Sequence, residues 1–182
     1  MSLTHVLLTS LLEKPSTGIE LANRFDRSMG FFWHATHQQI YRELGQMQDK
    51  GWIIPMTAAN SDARKKTYQV TPEGQNILRE WLLVESQPAK LRDELMVKLR
   101  AEAQFSENTI FPELQRHLEL HKMQLAVYQA ILKKDQQKPA SSDQRTIMIQ
   151  QKILELGIQL EQGWISWLNE MIIILEQHPH SS

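Results

Sequence analysis

The 182-residue sequence has no cysteine, and its charges nearly cancel, with 20 Lys and Arg against 21 Asp and Glu. Without cysteine there is no disulfide framework, no thiolate metal site and no cysteine nucleophile, and the composition fits a reducing compartment. The net charge of −1 argues against a general polyanion binder. Any contact with a nucleic acid is therefore expected to be confined to a local patch of cations.

Signals for secretion and membrane insertion are also missing. No basic segment precedes an apolar stretch at the N-terminus, so the sequence predicts no signal peptide. The longest apolar-rich run, residues 164–175, is interrupted by Asn169-Glu170 and is far shorter than the roughly 20 residues that a membrane-spanning helix needs. We expect a cytoplasmic protein that has no membrane partner.

Catalytic motifs are absent from the sequence as well. It contains no Gly-x-Ser-x-Gly, no phosphate-binding glycine loop and no His-Glu-x-x-His,. His117 and His121 have the helical spacing that could share a metal ion, but no third ligand is evident and His121 falls among leucines. A packed, hydrogen-bonded histidine is the favoured interpretation, so we expect neither an enzyme nor a metal site.

What the sequence does contain is a short helix with an unusual outer face, at residues 36–50. Thr36 and Gln39 are spaced as a capping box. Ile40, Leu44 and Met47 recur on one side, which should be buried. Lys50-Gly51 is typical of a helix end, because glycine can take the left-handed conformation there.

The opposite face of this helix carries amides, a phenol and a guanidinium, where an ordinary solvated face would carry Glu–Lys pairs. These groups bond to base edges and phosphates. The face consists of Gln38, Tyr41, Arg42, Gly45, Gln46 and Asp49. We predict base or phosphate contacts from Gln38, Tyr41 and Arg42, and a phosphate contact from His37 at the helix start.

Two short strands are expected after this helix, at residues 52–54 and 66–70, joined by a segment with loop composition. Arg64, Lys65 and Lys66 are consecutive cations where that loop meets the second strand. A helix followed by a hairpin with a basic tip predicts a winged helix-turn-helix. In that fold the helix enters the major groove and the cations of the wing grip the DNA backbone.

Helices at residues 2–13, 17–27 and 71–84 complete a predicted N-terminal domain over residues 1–86. Their amphipathic patterns count Leu12, Ile19 and Leu82 among the buried residues. Residues 87–182 are expected to form a second, helical domain. It has one helix at 91–105 and two long helices separated by the polar loop 135–143.

The long helices carry more apolar surface than one chain can cover. The last helix has two apolar seams, and a helix with two apolar faces needs two partners. A neighbouring helix of the same chain covers one seam, so the second predicts a homodimer. The predicted interface residues are Leu118, Leu125, Ile153, Leu160, Trp164, Trp167, Met171 and Ile174.

Aromatic side chains offer a further hypothesis. Residues 28–34 are rich in aromatics. These side chains either pack in the core between two helices or form the wall of an effector pocket, and packing in the core is the favoured interpretation. No cofactor is expected. A small aromatic effector remains open, with a pocket lined by Trp33, Trp81, or Trp164 and Trp167.

Several motifs in order carry a family resemblance. They are Gln-Ile-Tyr-Arg-Glu-Leu at 39–44, Lys-Gly-Trp-Ile at 50–53 and Lys-Lys-Thr-Tyr-Gln-Val-Thr-Pro-Glu-Gly at 65–74. Over residues 3–84 the sequence resembles the PadR family of transcriptional regulators. The longer run Phe-Trp-His-Ala-Thr-His-Gln-Gln-Ile-Tyr-Arg-Glu-Leu at 32–44 is most similar to its AphA-like branch of virulence activators. Beyond residue 84 the resemblance covers length and helical pattern. The resemblance to the family places its DNA-contacting tyrosine at Tyr41 and its wing cations at Arg64, Lys65 and Lys66, the same residues that the helix and hairpin patterns predict.

These observations predict a mainly α fold with a small β-hairpin: an N-terminal winged helix-turn-helix and a C-terminal dimerisation domain of antiparallel long helices. The predicted function is sequence-specific binding of double-stranded DNA by a homodimer on an inverted-repeat operator, with an effector as an open possibility. The alternatives are a winged-helix scaffold for protein–protein interaction and a sensor of small aromatic ligands. DNA binding that weakens steeply with salt would distinguish the regulator from the scaffold.

Overall fold

The computed structural model describes residues 2–27, 35–56, 66–105, 108–136 and 143–177. The chain divides into two compact units, Met1–Ala89 and Lys90–Ser182. The first unit has the element order α1 (Leu3–Glu13), β1 (Ser16–Thr17), α2 (Gly18–Arg27), α3 (His37–Asp49), β2 (Ile53–Met56), β3 (Thr67–Val70) and α4 (Pro72–Leu82). This is the order of a winged helix-turn-helix, as the sequence predicts.

The core of the first unit is formed where the apolar sides of its helices meet the sheet. Its largest fully buried side chains are Leu7, Leu8, Leu11, Leu21, Ile40, Leu44, Met47 and Ile53. Trp81 is partly buried against this core and stacks on His5, with ring centroids 4.8 Å apart. Burial lowers the pKa of His5, because a charged imidazole is poorly solvated there,.

The sheet has three strands in the order β1-β3-β2, all antiparallel, and the sequence predicted only two of them. β2 and β3 form the expected hairpin, with Ile53 opposite Val70 and Met56 opposite Thr67. The unpredicted strand is β1, where Ser16 pairs with Tyr68 and Thr17 with Thr67. A strand of two residues has no alternation to detect, so the sequence suggested only a helix cap at this point.

Three residues that the amphipathic patterns placed in the core are instead exposed. Leu12 is 51% exposed, Ile19 is 58% exposed and Leu82 is 73% exposed. All three stand at the ends of their helices, where a helical period no longer guarantees that a neighbouring element covers the position. α4 also ends at Leu82, two residues before the predicted end at residue 84.

The second unit consists of α5 (Glu94–Glu102), α6 (Phe111–Gln136) and α7 (Gln144–Gln177). α5 begins three residues later than predicted, because the Asp93 side chain accepts a hydrogen bond from the Leu95 amide and caps the helix there,. α6 and α7 run antiparallel. Tyr128 lies against Gly157, whereas the Asn108 side chain reaches the carbonyl of Leu175.

The core of the second unit lies between its three helices, with Leu95, Ile110, Leu114, Leu118 and Leu168 buried. The buried Glu102 carboxylate accepts hydrogen bonds from the Thr109 hydroxyl at 2.7 Å and the Ile110 amide at 3.2 Å. It thereby provides acceptors for two donor groups that directly precede α6. In the described part of the chain, no helix is both long and apolar enough to cross a bilayer.

Candidate nucleic-acid interface and dimerisation surface

Helix α3 begins with the predicted capping box. The Thr36 hydroxyl accepts from the Gln39 amide at 3.2 Å, and the Gln39 side-chain oxygen accepts from the Thr36 amide at 2.8 Å. Two amides that would otherwise lack partners at the helix start are satisfied in this way. The side chain of Gln39 is therefore occupied by the cap.

The other end of α3 is closed by a glycine turn. Gly51 has φ +73°, and the amides of Gly51 and Trp52 donate to the carbonyls of Gln48 and Met47, each at 2.9 Å. This pair of bonds is the Schellman arrangement, which favours glycine at the left-handed position. The ammonium of Lys50 stands 4.5 Å from the centre of the Trp52 ring. The helix is thus fixed in length at both ends.

The predicted buried side of α3 is confirmed, since Ile40, Leu44 and Met47 are almost fully enclosed. A polar contact adds to this packing: the Thr4 hydroxyl of α1 donates a hydrogen bond to the Glu43 carboxylate. Apolar burial and this bond hold one side of the helix against the core, so the opposite side faces outward.

All six residues of the predicted outer face are exposed, and so is His37 at the first helical position. Tyr41 is 47% exposed, since one side of its ring lies close to Gly18 at the start of α2. The structure therefore brings Gln38, Tyr41 and Arg42 together on one accessible surface. Their donor groups match the acceptors of phosphates and base edges.

Only one of the three predicted wing cations can be placed. Lys66 is exposed and directly precedes β3. Arg64 and Lys65 lie outside the described residues. Thr67 pairs with both Thr17 and Met56, so Lys66 lies next to a residue that is paired on both sides.

Another arginine of the unit has a different role. The Arg24 guanidinium donates to the carbonyls of Ser10 at 2.8 Å and Lys14 at 3.1 Å, at the end of α1. Burial lowers the pKa of Arg24,. This side chain ties α2 to α1, and we do not assign it to the nucleic-acid interface.

The second unit presents a continuous apolar stripe along α7, which is 34 residues long. Ile153 is 47% exposed, Leu160 58% and Ile174 48%. At 100° per residue these positions lie on one side of the helix, beside the seam that packs on α6. Ile149 and Leu156 extend the same stripe and are also exposed.

The remaining predicted interface residues are distributed differently. Leu118 is buried against other helices of its own chain, which leaves little of its side chain for the predicted subunit interface. Leu125, Trp164, Trp167 and Met171 are partly buried. The sequence had not singled out Leu120, Met123 and Val127, which give α6 an exposed apolar stripe of its own. Their 3–4 spacing was the signal that could have found them.

The two histidines of α6 each face a carboxylate. His121 Nδ1 lies 2.6 Å from a carboxylate oxygen of Glu161, and its ring stacks on Trp164 with centroids 5.1 Å apart. His117 lies 3.3 Å from Glu113, whose pKa is lowered to about 2 mainly by a hydrogen bond from Arg116. Within the described residues no group of three potential ligands is arranged to hold a metal ion. The aromatics of residues 28–34, including Trp33, lie outside the described residues.

Comparisons with known proteins agree with this geometry in both units. Residues 7–80 match the model of the transcriptional regulator PadR-like family, and residues 91–176 match that of the virulence activator alpha C-terminal region. A probable transcriptional regulator of Mycobacterium tuberculosis is 32% identical over 97% of this chain and 99% of its own length. The chain therefore belongs to the PadR-like family of transcriptional regulators.

Solved structures give the same result. The Vibrio cholerae virulence activator AphA superposes with a TM-score of 0.76 at 30% identity, over 97% of this chain and 99% of that one. Bacillus subtilis PadR in complex with operator DNA superposes with a TM-score of 0.77 at 26% identity, over 95% and 98%. The same PadR has also been solved with p-coumaric acid.

Proposed function

We propose that this regulator controls transcription by binding double-stranded DNA as a homodimer in the cytoplasm, without catalysis. The observation that carries the proposal is the outer face of α3, where Gln38, Tyr41 and Arg42 are exposed on a helix fixed at both ends. The complex of Bacillus subtilis PadR with operator DNA supports it. An exposed polar helix followed by a wing is also the arrangement by which winged helices bind DNA.

Each part of the surface has a distinct task in this proposal. Arg42 can donate two parallel hydrogen bonds to a guanine, and Gln38 can pair with an adenine. The Tyr41 hydroxyl bonds to a phosphate. His37 stands at the helix start, where amides and the helix dipole favour an anion. Arg64, Lys65 and Lys66 bind backbone phosphates and contribute affinity that is independent of sequence.

The homodimer determines the form of the operator. We propose that the exposed stripe of α7, with Ile153, Leu160 and Ile174, packs against a second copy of the chain. Two recognition helices related by a two-fold axis read two half-sites, so the operator is an inverted repeat. The apolar residues of α7 are numerous enough to explain why a second copy is needed,.

Selection of bound duplexes from a random-sequence pool tests the proposal directly. We expect an inverted repeat to be enriched, and its affinity in an anisotropy titration to fall steeply with salt, because bound phosphates release counterions. Failure to enrich any duplex at low ionic strength would contradict the proposed function. A flat salt dependence would favour the protein-binding scaffold.

Arg42→Ala tests the base contact. We expect it to weaken binding to the selected duplex by about 1–3 kcal/mol and to relax the preference at one base pair of each half-site. Arg42→Lys should recover phosphate attraction but not the preference, because lysine lacks the planar fork. Both are measured by anisotropy on the selected duplex and on single-base variants. Unchanged preference would remove Arg42 from the readout.

Lys66→Ala is the matched comparison, because it removes a cation that we expect to contact phosphates of the DNA backbone. Binding to all duplexes should weaken alike, and the slope of log affinity against log salt should flatten by about one unit for each lost contact. With two copies of Lys66 in the dimer the expected change is about two units. A loss confined to one sequence would show that Lys66 reads bases.

A second candidate function is response to a small aromatic effector, as suggested by PadR with p-coumaric acid. The second unit has a groove of about 360 Å³, in the size range of ligand sites,. It is lined by Leu91, Met96, Gln159, Leu160, Gly163, Trp164 and Trp167. The rings of Trp164 and Trp167 meet edge to face with centroids 5.6 Å apart. Saturable quenching of tryptophan fluorescence by p-coumaric acid, lost in Trp164→Phe/Trp167→Phe, would support this site, and no quenching would exclude it.

A further inference from the structure

Gly18 stands where three parts of the DNA-binding unit meet. It is the first residue of α2 and directly follows β1. Its neighbour Thr17 pairs with Thr67 of β3, the strand that follows Lys66. The Thr17 hydroxyl also accepts from the Glu20 amide at 3.2 Å and caps α2. The backbone at Gly18 is therefore held from both sides by the sheet and by the cap.

The ring of Tyr41 occupies the space that a side chain at position 18 would need. A Cβ atom on Gly18 would lie 2.5 Å from Cε1 of Tyr41 and 3.2 Å from Cδ1 and Cζ. Ordinary van der Waals contact begins at 3.4 Å. A methyl group at this position would therefore displace the ring by about 0.9 Å or more at Cε1.

The displacement would fall on the functional end of the side chain. Cζ carries the phenol oxygen, so movement of Cε1 and Cζ moves the hydroxyl. Hydrogen bonds span only about 2.5–3.0 Å between oxygen atoms, and they weaken rapidly beyond that distance. A shift near 0.9 Å is large on this scale. A hydrogen bond from Tyr41 to DNA would be broken or realigned.

The fold itself should tolerate the methyl group. The obstructing atoms belong to a side chain that is 47% exposed and can turn toward solvent. Gly18 does not require a positive φ, since Gly51 is the glycine with a positive φ in the described residues. Alanine is also the better helix former. The effect of a substitution should thus appear in DNA binding and leave stability almost unchanged.

We propose that Gly18 is a positioning residue for DNA recognition: its lack of a side chain seats the Tyr41 ring so that the phenol reaches DNA. The inference rests on the proposed function, because it needs Tyr41 to contact the duplex. It adds a residue of α2 that touches no base itself. It also makes the start of α2 a determinant of how strongly α3 binds its operator.

A double-mutant cycle tests the proposal on the full-length protein, with wild type, Gly18→Ala, Tyr41→Ala and Gly18→Ala/Tyr41→Ala. The probes are the duplex that wild type selects from a random pool and a scrambled duplex of equal length and composition. Gly18→Ala should weaken binding to the selected duplex about tenfold or more, the value of a hydrogen bond to a charged group. In the Tyr41→Ala background the same substitution should have no further effect, because the ring is gone. Thermal unfolding should show that Gly18→Ala is as stable as wild type.

The outcomes separate the alternatives. An equal loss in both backgrounds would overturn the proposal, because Gly18 would then act by a close approach of its own backbone to DNA. No loss from Gly18→Ala, while Tyr41→Ala loses affinity, would also overturn it, because the ring would tolerate the methyl group. If neither variant loses affinity while wild type still binds DNA, the contact of Tyr41 is wrong and the proposal falls with it. Wild type that binds no duplex would refute the proposed function instead.

Discussion

Ile153→Glu/Leu160→Glu is expected to convert the proposed dimer into a monomer. The two side chains are 47% and 58% exposed in the single chain and lie about two turns apart on the same stripe of α7,. In the proposed dimer both would be buried, and an unpaired carboxylate in an apolar interface is strongly unfavourable. Sedimentation velocity at micromolar concentration measures the result.

The loss of the dimer should weaken binding to the inverted repeat by about 10²–10⁴-fold, because the second half-site is then no longer bound at a high effective concentration. Binding of a single half-site should change little. The substitutions lie in the second unit, whereas the residues that we propose to contact DNA belong to the first. Titration of duplexes carrying one or two half-sites distinguishes the two effects.

Gln162→Glu/Ser166→Glu is the matched control for this experiment. It adds the same two charges on the same helix, at exposed positions on the side opposite Leu160,. The control should remain dimeric with full affinity. Equal loss in both variants would show that charge on α7, and not the apolar stripe, governs association. A wild-type protein that sediments as a monomer would refute the dimer altogether.

Local signals explain why α3 was predictable. Its cap needs only Thr36 and Gln39, its end needs only Gly51, and its buried side follows from a period of 3.6 residues. All of these are interactions within about five residues along the chain, so the sequence contains them directly. The hairpin is similar, because β2 and β3 are neighbours in sequence as well as in the sheet.

Contacts between distant segments explain what the sequence could not show. β1 exists because Ser16 and Thr17 meet β3, which lies about fifty residues later in the chain. The closeness of Gly18 to Tyr41 is likewise a tertiary contact between α2 and α3. Ile19 seemed a buried residue from its apolar character alone, yet its side chain is exposed on the surface of α2.

The long helices show another reason why the sequence alone did not predict the structure fully. Periodicity finds two apolar seams on α7 but does not say which one packs on α6. The same uncertainty made Leu118 look like an interface residue, although it is buried within its own chain. The exposed stripe of α6 was missed for the converse reason: the buried seam of that helix is the stronger pattern, and it hides the weaker one beside it.

Gly74→Ala should destabilise the winged-helix unit by about 1–3 kcal/mol, the usual cost of overpacking. Gly74 lies in the first turn of α4, and its amide donates to the Thr71 hydroxyl at 3.1 Å. A Cβ atom here would stand 2.9 Å from Cγ1 of Val70 and 3.1 Å from the carbonyl carbon of Trp52, with the carbonyl oxygen nearer still. Unlike the ring beside Gly18, this obstacle is backbone. It cannot turn aside without disturbing the bonds from Thr71 to the carbonyls of Gly51 and Trp52 that hold α4 to the end of α3.

Gly45→Ala is the control, since it makes the same chemical change in a helix of the same unit. No described atom lies within 4 Å of a Cβ at Gly45, so the methyl group meets open space. Alanine should stabilise α3 by about 0.5–1 kcal/mol, because glycine loses more backbone entropy in a helix. Thermal unfolding of the two variants should therefore move in opposite directions from wild type. Equal stability of both would mean that the backbone at Trp52 yields freely, and that the junction between α3 and the wing is not the rigid support on which the proposed DNA contact depends.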